Sequence, residues 1–356
     1  MDEETFPPSL TSSAGNLSTV VANTEILRDE GPREPLSERG AAAFQAEVAA
    51  ISDAINTFMQ GIGPVVDLAL TCLLAGGHLL LEDVPGVGKT SLARSLASAL
   101  GAPWQRLQFT PDMLPSDITG VSVYHQDREA FVFHPGPIFA NVVLADEINR
   151  ASPRTQSALL EVMEEHQVTV DGQAYPVPNP FLVIATQNPI EMEGTYPLPE
   201  SQLDRFLMKT DVGYPDLRAE VRVLAADHDG RGPTTVMQVS SRARIQRLVE
   251  MARNVHVSDE LLEYIALLVR HTRTMPQLRL GSSPRGAVGL LRAARVRAAM
   301  SGRAYAVPGD VQALAVPVLS HRVLPTPSFE ATGGVTAGAI DEALQAVPAP
   351  PVRLRR

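Results

Sequence analysis

The residues from Gly86 to Thr90 are of types that bind phosphate, and they stand between an apolar run and the start of a helical pattern. Glycines allow backbone N–H groups to turn toward phosphate oxygens, and a helix N-terminus adds partial positive charge. In this arrangement Lys89 would reach the β- and γ-phosphates of a nucleotide, and Thr90 would offer its hydroxyl to Mg²⁺. The predicted phosphate-binding residues are Pro85, Gly86, Val87, Gly88, Lys89, Thr90 and Ser91.

Three features of this loop bear on the prediction. The full phosphate-loop pattern has glycine where this chain has Asp83. A dinucleotide-binding fingerprint is the alternative, but its third glycine would fall at Ser91, which argues against it. Lys89 is one of two lysines among 30 basic residues, the other being Lys209. In such an arginine-rich chain, a lysine where a compact point charge is needed favours phosphate binding.

Two adjacent carboxylates, Asp146 and Glu147, follow an apolar run from Val142 to Ala145. Successive side chains of a strand point to opposite faces, but the chain turns at the end of the strand. Both carboxylates can therefore face the crevice above a parallel sheet. Asp146 would hold Mg²⁺ through water, and Glu147 would orient and polarise an attacking water. A solvated acidic pair that opens a loop is the alternative, and the phosphate loop ahead of it makes that alternative weaker.

Apolar runs and helical patterns alternate from residue 78 onward, which predicts a mostly parallel sheet covered by helices. Two hairpins interrupt the alternation, with turns at Gln126-Asp127 and Asp171-Gly172. Helical patterns alone follow Pro215, which predicts a second, all-helical domain. The predicted domains are a flexible extension (1–38), an α/β core (39–213), a helical domain (214–325), and a flexible tail with one short helix near its end (326–356).

Composition narrows the classes of function. The chain has 356 residues, 44% of them apolar, which is enough for two cores, and a net charge of −10. An acidic chain is a poor candidate for non-specific binding to nucleic acid or anionic membranes. The single cysteine, Cys72, excludes an internal disulfide and a multi-cysteine metal site. No stretch predicts a membrane span or a signal peptide, so we expect a cytoplasmic location.

Several motifs resemble those of the MoxR family of AAA+ ATPases, in the same order along the chain. They are Leu81–Thr90, Gln108–Asp112 with Leu114–Gly120, Asp146–Ala151, and Gln187–Glu191 with Glu193–Glu200 and Gln202–Phe206. Asp83 is usual in this family, which removes the objection raised above. The resemblance covers about residues 40–325. It implies an AAA+ P-loop core, with a parallel sheet flanked by helices, and an all-helical C-terminal lid domain.

The resemblance also implies roles for three more residues. Asn188 matches sensor 1, whose carboxamide can hold the attacking water or the γ-phosphate. An asparagine at this position also favours a turn before Pro189, and the two roles are compatible. Arg205 matches the arginine finger, which reaches a nucleotide bound by a neighbouring subunit. On residue type alone, an ion pair of Arg205 with Asp204 or Glu200 would be the more ordinary expectation. Arg285 matches sensor 2, with a surface arginine as the alternative.

A cluster at residues 164–166, Glu-Glu-His, is interpreted as the solvent-facing end of a helix rather than as a catalytic group.

The implied activity is hydrolysis of ATP with Mg²⁺, with Glu147, Arg205, Asn188 and Lys89 as the catalytic set. The implied assembly is a homo-oligomeric ring, by family resemblance a hexamer, with both hairpins projecting toward its central channel. The implied role is chaperone-like remodelling or maturation of protein clients, often with a partner that carries a von Willebrand factor A domain. Neither nucleic acid nor a membrane is an expected partner. A DNA-acting or metal-chelatase-type ring and an ATP-gated scaffold with little turnover remain open alternatives.

Overall fold

The structure is a computed structural model that describes residues 34–59, 61–82, 88–188, 194–213, 217, 220–221, 224–225 and 236–351. Most of the predicted N-terminal extension lies outside these residues, as do Asp83, Pro85, Gly86, Val87 and most of the helix expected just after Pro215. The described strands are β1 (Leu79–Glu82), β2 (Trp104–Gln108), β3 (Gly120–His125), β4 (Ala130–Pro135), β5 (Val142–Asp146), β6 (Gln167–Val170), β7 (Gln173–Pro176), β8 (Leu182–Gln187), β9 (Met208–Thr210), β10 (Leu278–Leu280) and β11 (Leu324–Pro325). The described helices are α1 (Glu38–Phe58), α2 (Gly63–Leu74), α3 (Lys89–Leu100), α4 (Pro115–Thr119), α5 (Pro153–Glu165), α6 (Glu200–Leu203), α7 (Arg242–Arg253), α8 (Asp259–Thr272), α9 (Pro284–Met300), α10 (Pro308–Leu319), α11 (Pro327–Ala331) and α12 (Thr336–Ala346).

A five-stranded parallel sheet forms the centre of the core, with the order β2-β5-β8-β1-β9. Four of the five residues of β5 and five of the six in β8 are buried, as expected for strands covered by helices on both faces. Because the strands are parallel, their carboxyl ends meet at one edge, where Gln108 lies in register with Asp146. The predicted α/β class and helix-flanked parallel sheet are confirmed.

Both predicted hairpins are present. Strands β3 and β4 pair antiparallel around a 3₁₀ turn at Gln126–Arg128, and β6 and β7 pair around Asp171-Gly172, both in left-handed conformations. Phe133 of the first hairpin stacks on Tyr175 of the second, with ring centroids 4.2 Å apart. The two hairpins are therefore in direct contact with each other.

The second domain is helical as predicted, and it also contains a short antiparallel ladder of β10 and β11. Its helices α7, α8, α9, α10 and α12 pack around small and branched apolar residues such as Leu290, Ala293, Leu314 and Ile340. Among the described residues, no helix is both long and apolar enough to cross a membrane.

The prediction of a flexible tail from residue 326 is wrong for most of its length. Helices α11 and α12 occupy residues 327–331 and 336–346, and Ala339, Ile340 and Ala343 on α12 are fully buried. Their spacing of one and four residues puts all three on one face, which packs against α8 and α10. The Pro, Gly and Ala content indicated a loop, but small side chains also permit close packing between helices.

Candidate functional site

The helix that follows the predicted phosphate loop begins as the sequence predicts. Gly88 takes a left-handed conformation (φ 91°, ψ 16°) at the N-cap of α3, a conformation that glycine adopts without strain. No side chain of the described residues caps α3, and the first N–H groups of a helix have no acceptor within the helix itself. Lys89 and Thr90 are half-buried in the first turn and Ser91 is exposed. This arrangement is suited to binding an anion at the helix N-terminus.

Asp146 and Glu147 share one buried threonine. The Thr186 hydroxyl donates to Asp146 Oδ1 at 2.6 Å and accepts the backbone N–H of Glu147 at 2.9 Å. Glu147 is left-handed (φ 57°, ψ 48°), which turns the chain at the end of β5. Thr186 lies on the neighbouring strand β8 and is 1% exposed. The bend and the shared threonine bring both carboxylates to the same edge of the sheet.

Two residues of β2 hold these carboxylates, and the sequence reasoning missed both. Arg106 donates to Asp146 Oδ2 through Nε (3.2 Å) and Nη2 (2.6 Å), and to Gln108 Oε1 at 2.8 Å. Gln108 in turn donates to Glu147 Oε2 at 2.8 Å. Arg150 Nε lies 3.0 Å from the same oxygen of Glu147. Two signals were available. Gln108 begins one of the family-like motifs, and Arg106 and Gln108 lie two residues apart on one face of β2, a spacing that becomes informative once β2 is known to lie beside β5.

Asn188, the predicted sensor 1, follows β8 and is buried. Its backbone carbonyl accepts a hydrogen bond from Asn149 Nδ2 at 3.4 Å, which joins it to the segment just after Glu147. The second lysine of the chain, Lys209, lies 2.5 Å from Glu82 at the end of β1. The structure thus places Asn188 close to the acidic pair and assigns Lys209 a structural ion pair at the same sheet edge.

Arg205 and Arg285, the predicted finger and sensor 2, meet at one carboxylate. Arg205 Nε is 3.2 Å from Glu164 Oε2, and Arg285 donates from a terminal nitrogen to Glu164 Oε1. The partner expected for Arg205 on residue type alone was Asp204 or Glu200, and the contact is with Glu164 instead. Glu164 is exposed, as interpreted from the sequence, and it also contacts these two arginines.

Asp204 has a different partner, the nearly buried Arg322. The guanidinium of Arg322 donates to Asp204 Oδ1 at 2.7 Å and to the backbone carbonyls of Asp204, Phe206 and Leu207 at 2.5 to 3.1 Å. Burial lowers the pKa of Arg322, and Asp204 opposes that effect, so the pair satisfies the charge within the fold. Burial, with the Arg322 charge beside it, also lowers the pKa of His321 well below its usual value.

Comparisons with known proteins agree with this geometry. A family model described as "ATPase family associated with various cellular activities (AAA)" matches residues 78–208, and one described as "AAA lid domain" matches residues 270–343. The chain is 48% identical to Uncharacterized protein YeaC of Bacillus subtilis, over 83% of this chain and 92% of that protein. It is 44% identical to Chaperone MoxR1 of Mycobacterium tuberculosis, over 81% of this chain and 79% of that protein. A crystal structure of an inferred ATPase from Cytophaga hutchinsonii matches with a TM-score of 0.82 and 36% identity, covering 88% of this chain and 98% of that one.

Proposed function

Because the chain belongs to the MoxR family of AAA+ ATPases, we propose that it hydrolyses ATP to ADP and phosphate and uses the cycle for chaperone-like remodelling or maturation of partner proteins. The observation that carries this proposal is the acidic pair Asp146 and Glu147, held at the carboxyl edge of the sheet by Thr186. The N-terminus of α3 follows β1 of the same sheet and supplies the complementary phosphate site through its helix dipole and first-turn N–H groups.

Nucleotide binding is assigned to the loop and the first turn of α3. Gly88 gives the turn its left-handed conformation, Lys89 contacts the β- and γ-phosphates, and the exposed Ser91 extends the binding surface along the helix. Pro85, Gly86 and Val87 complete the loop on the basis of the sequence. From the lid, Arg285 is the candidate sensor 2 and would contact nucleotide phosphates.

The donor set fits Mg²⁺, because the Thr90 hydroxyl and the Asp146 carboxylate are hard oxygen ligands. Both carboxylate oxygens of Asp146 already accept hydrogen bonds, from Thr186 and from Arg106. Asp146 would therefore hold the ion through water rather than directly. When bound, Mg²⁺ neutralises negative charge on the phosphate oxygens.

The hydrolytic step depends on Glu147, which orients and polarises the attacking water. Its backbone is fixed by Thr186, and its side chain is held by Gln108 and Arg150. Asn188 holds the water or the γ-phosphate. Lys89 and the Arg205 of a neighbouring subunit stabilise the negative charge of the transition state. Positive groups that are already in position need no reorganisation when that charge develops.

Assembly follows from the role given to Arg205. A finger that acts on a neighbour's ATP requires a homo-oligomeric ring whose interfaces each complete one site, and family resemblance makes that ring a hexamer. The clients are proteins in the cytoplasm, with a von Willebrand factor A domain protein as a candidate partner. Support for client binding comes from the β3–β4 hairpin, where Tyr124 and Phe131 are 51% and 71% exposed.

The test of this proposal is the variant Glu147→Gln, which keeps the shape of the side chain and removes its charge. Mg²⁺·ATP should still bind by calorimetry, while steady-state phosphate release should fall by roughly 10²-fold or more. Glu263→Gln on the exposed face of α8 makes the same charge change and should match the unmodified protein. If Glu147→Gln hydrolyses ATP at the parent rate, Glu147 is not the water-orienting group. If the unmodified protein binds ATP without releasing phosphate, the ATP-gated scaffold is the correct description.

A further inference from the structure

Arg106 binds the carboxylate that the proposed function assigns to Mg²⁺. Its Nε and Nη2 atoms both donate to Asp146 Oδ2, at 3.2 and 2.6 Å, whereas the other oxygen, Oδ1, accepts the Thr186 hydroxyl at 2.6 Å. The two neighbours differ in charge, because the hydroxyl is neutral and a guanidinium remains protonated in proteins. One oxygen of Asp146 is therefore paired with a permanent positive charge.

The pairing of strands fixes the position of this guanidinium. Strands β2 and β5 are in register, with Arg106 beside Leu144 and Gln108 beside Asp146. The Arg106 side chain therefore extends along the sheet edge to meet the carboxylate, and on the way its Nη2 donates to Gln108 Oε1 at 2.8 Å. The side chains of Arg106 and Asp146 are 47% and 15% exposed, so the carboxylate is the more shielded from water of the two. Both partners lie on paired strands, and their contact is thus part of the sheet edge.

Other contacts orient Asp146 without help from Arg106. Thr186 holds Oδ1, and the backbone of Asp146 is fixed in the ladder with β2. The main effect of Arg106 is therefore electrostatic, because a cation beside a carboxylate lowers the negative potential that the carboxylate presents to a second cation. Proteins bind Mg²⁺ through one or two carboxylates, so the charge of Asp146 has a large share in the affinity for the ion. Arg106 and the metal ion thus compete for one negative charge.

We propose that Arg106 is a positioning residue that acts through Asp146 and lowers the affinity of the nucleotide-bound site for Mg²⁺. This inference rests on the proposed function, because it takes Asp146 to hold the ion through water. The charge of Arg106, rather than the shape of its side chain, carries the effect. Its consequence is that Arg106 raises the Mg²⁺ concentration that the site requires.

Calorimetry with adenylyl imidodiphosphate, an ATP analogue that is not hydrolysed, tests the proposal without turnover. The measured quantity is the Kd of the analogue in EDTA divided by its Kd in saturating Mg²⁺. The affinity of the free analogue for Mg²⁺ is the same in every experiment, so by linkage a change in this ratio is a change in Mg²⁺ affinity on the protein. Arg106→Gln should raise the ratio about fivefold, the factor expected for loss of one partly exposed ion pair that opposes the metal ion. Arg106→Lys keeps the charge and should keep the ratio of the unmodified protein.

Two further variants separate this inference from the proposed function. Arg247→Gln, on the exposed face of α7, removes the same charge elsewhere and should leave the ratio unchanged. Asp146→Asn removes the charge of the proposed ligand and should lower the ratio. If it does so while Arg106→Gln leaves the ratio unchanged or lowers it, or if Arg106→Lys raises the ratio as much as Arg106→Gln does, the role of Arg106 is overturned. If Asp146→Asn leaves the ratio unchanged, the metal role of Asp146 in the proposed function fails, and the role of Arg106 with it.

Discussion

Lowering the pH from about 7 to about 5 should destabilise the fold by about 2 kcal/mol through His78 alone. His78 precedes β1 and is 3% exposed. Its Nδ1 accepts the backbone N–H of Val183 at 3.1 Å, and its Nε2 lies 3.0 Å from the carbonyl of Met163, so Nε2 carries the proton and donates. The ring is therefore neutral and joins β8 to the end of α5. Burial lowers the pKa of His78 from 6.5 to about 4.

The direction of the effect follows from proton linkage. Between pH 6.5 and about 4, the unfolded chain binds a proton at His78 that the folded chain does not bind. The stability that the neutral ring contributes is thus complete above the unfolded pKa and is lost as the pH falls toward the folded pKa. The stability lost over the whole titration of His78 is about 3 kcal/mol, and most of this loss occurs above pH 5. His321, whose pKa is also lowered by burial, adds an effect of the same sign.

Urea unfolding at the two pH values, followed through the fluorescence of Trp104, measures this effect. Trp104 is the single tryptophan of the chain and lies at the start of β2, so it reports on the sheet. The side chain in His78→Gln has an amide donor and a carbonyl acceptor but cannot titrate. Between the two pH values, the free energy of unfolding of this variant should therefore fall by about 2 kcal/mol less than that of the unmodified protein. His256→Gln, at an exposed position, should follow the unmodified protein. Equal pH dependence in His78→Gln and the unmodified protein would refute the reasoning.

Two further predictions concern the nucleotide site. Lys89→Ala should weaken ATP binding at least about tenfold, or about 1.4 kcal/mol, because it removes the point charge that contacts the phosphates. Equal ATP affinity of the variant and the unmodified protein by calorimetry would reject the phosphate-loop assignment. Arg205→Ala should still bind ATP but hydrolyse it poorly, and the specific activity of the unmodified protein should rise with its concentration until the ring is complete. An isolated Arg205→Ala monomer with full activity would contradict a site shared between subunits.

The parts of the fold that depend on local pattern could be predicted from the sequence. The alternation of apolar runs with helical patterns indicated the parallel sheet, and the Asp171-Gly172 turn indicated a hairpin. The positions of Lys89 at the start of a helix and of Asp146 at the end of a strand followed from the same pattern. The α12 helix was only partly recognised, because its alanines and glycine are as compatible with a loop as with a helix packed closely on its neighbours.

The contacts within the candidate site were less predictable, because they join residues far apart in the chain. Glu164 lies 41 residues before Arg205 and 121 before Arg285, and no sequence spacing indicates that these three side chains meet. The contact of Gln108 with Glu147 requires β2 to lie beside β5, and the order of strands in a parallel sheet is not determined by their order in the chain. Tertiary arrangement, rather than local propensity, decides both sets of contacts.

The apolar core continues from the sheet into the lid without a break. A single buried cluster contains Phe44 of α1, Leu81 of β1, Leu290 of α9 and Ile340 of α12. The matched domain regions, which end at residue 208 and resume at 270, are therefore modules of sequence rather than separable bodies. A chimaera that takes its lid from a relative would have to replace both sides of this cluster together, since close-packed interiors tolerate few mismatched volumes. Exchange of lids between relatives is in this way constrained by packing that lies well away from the nucleotide.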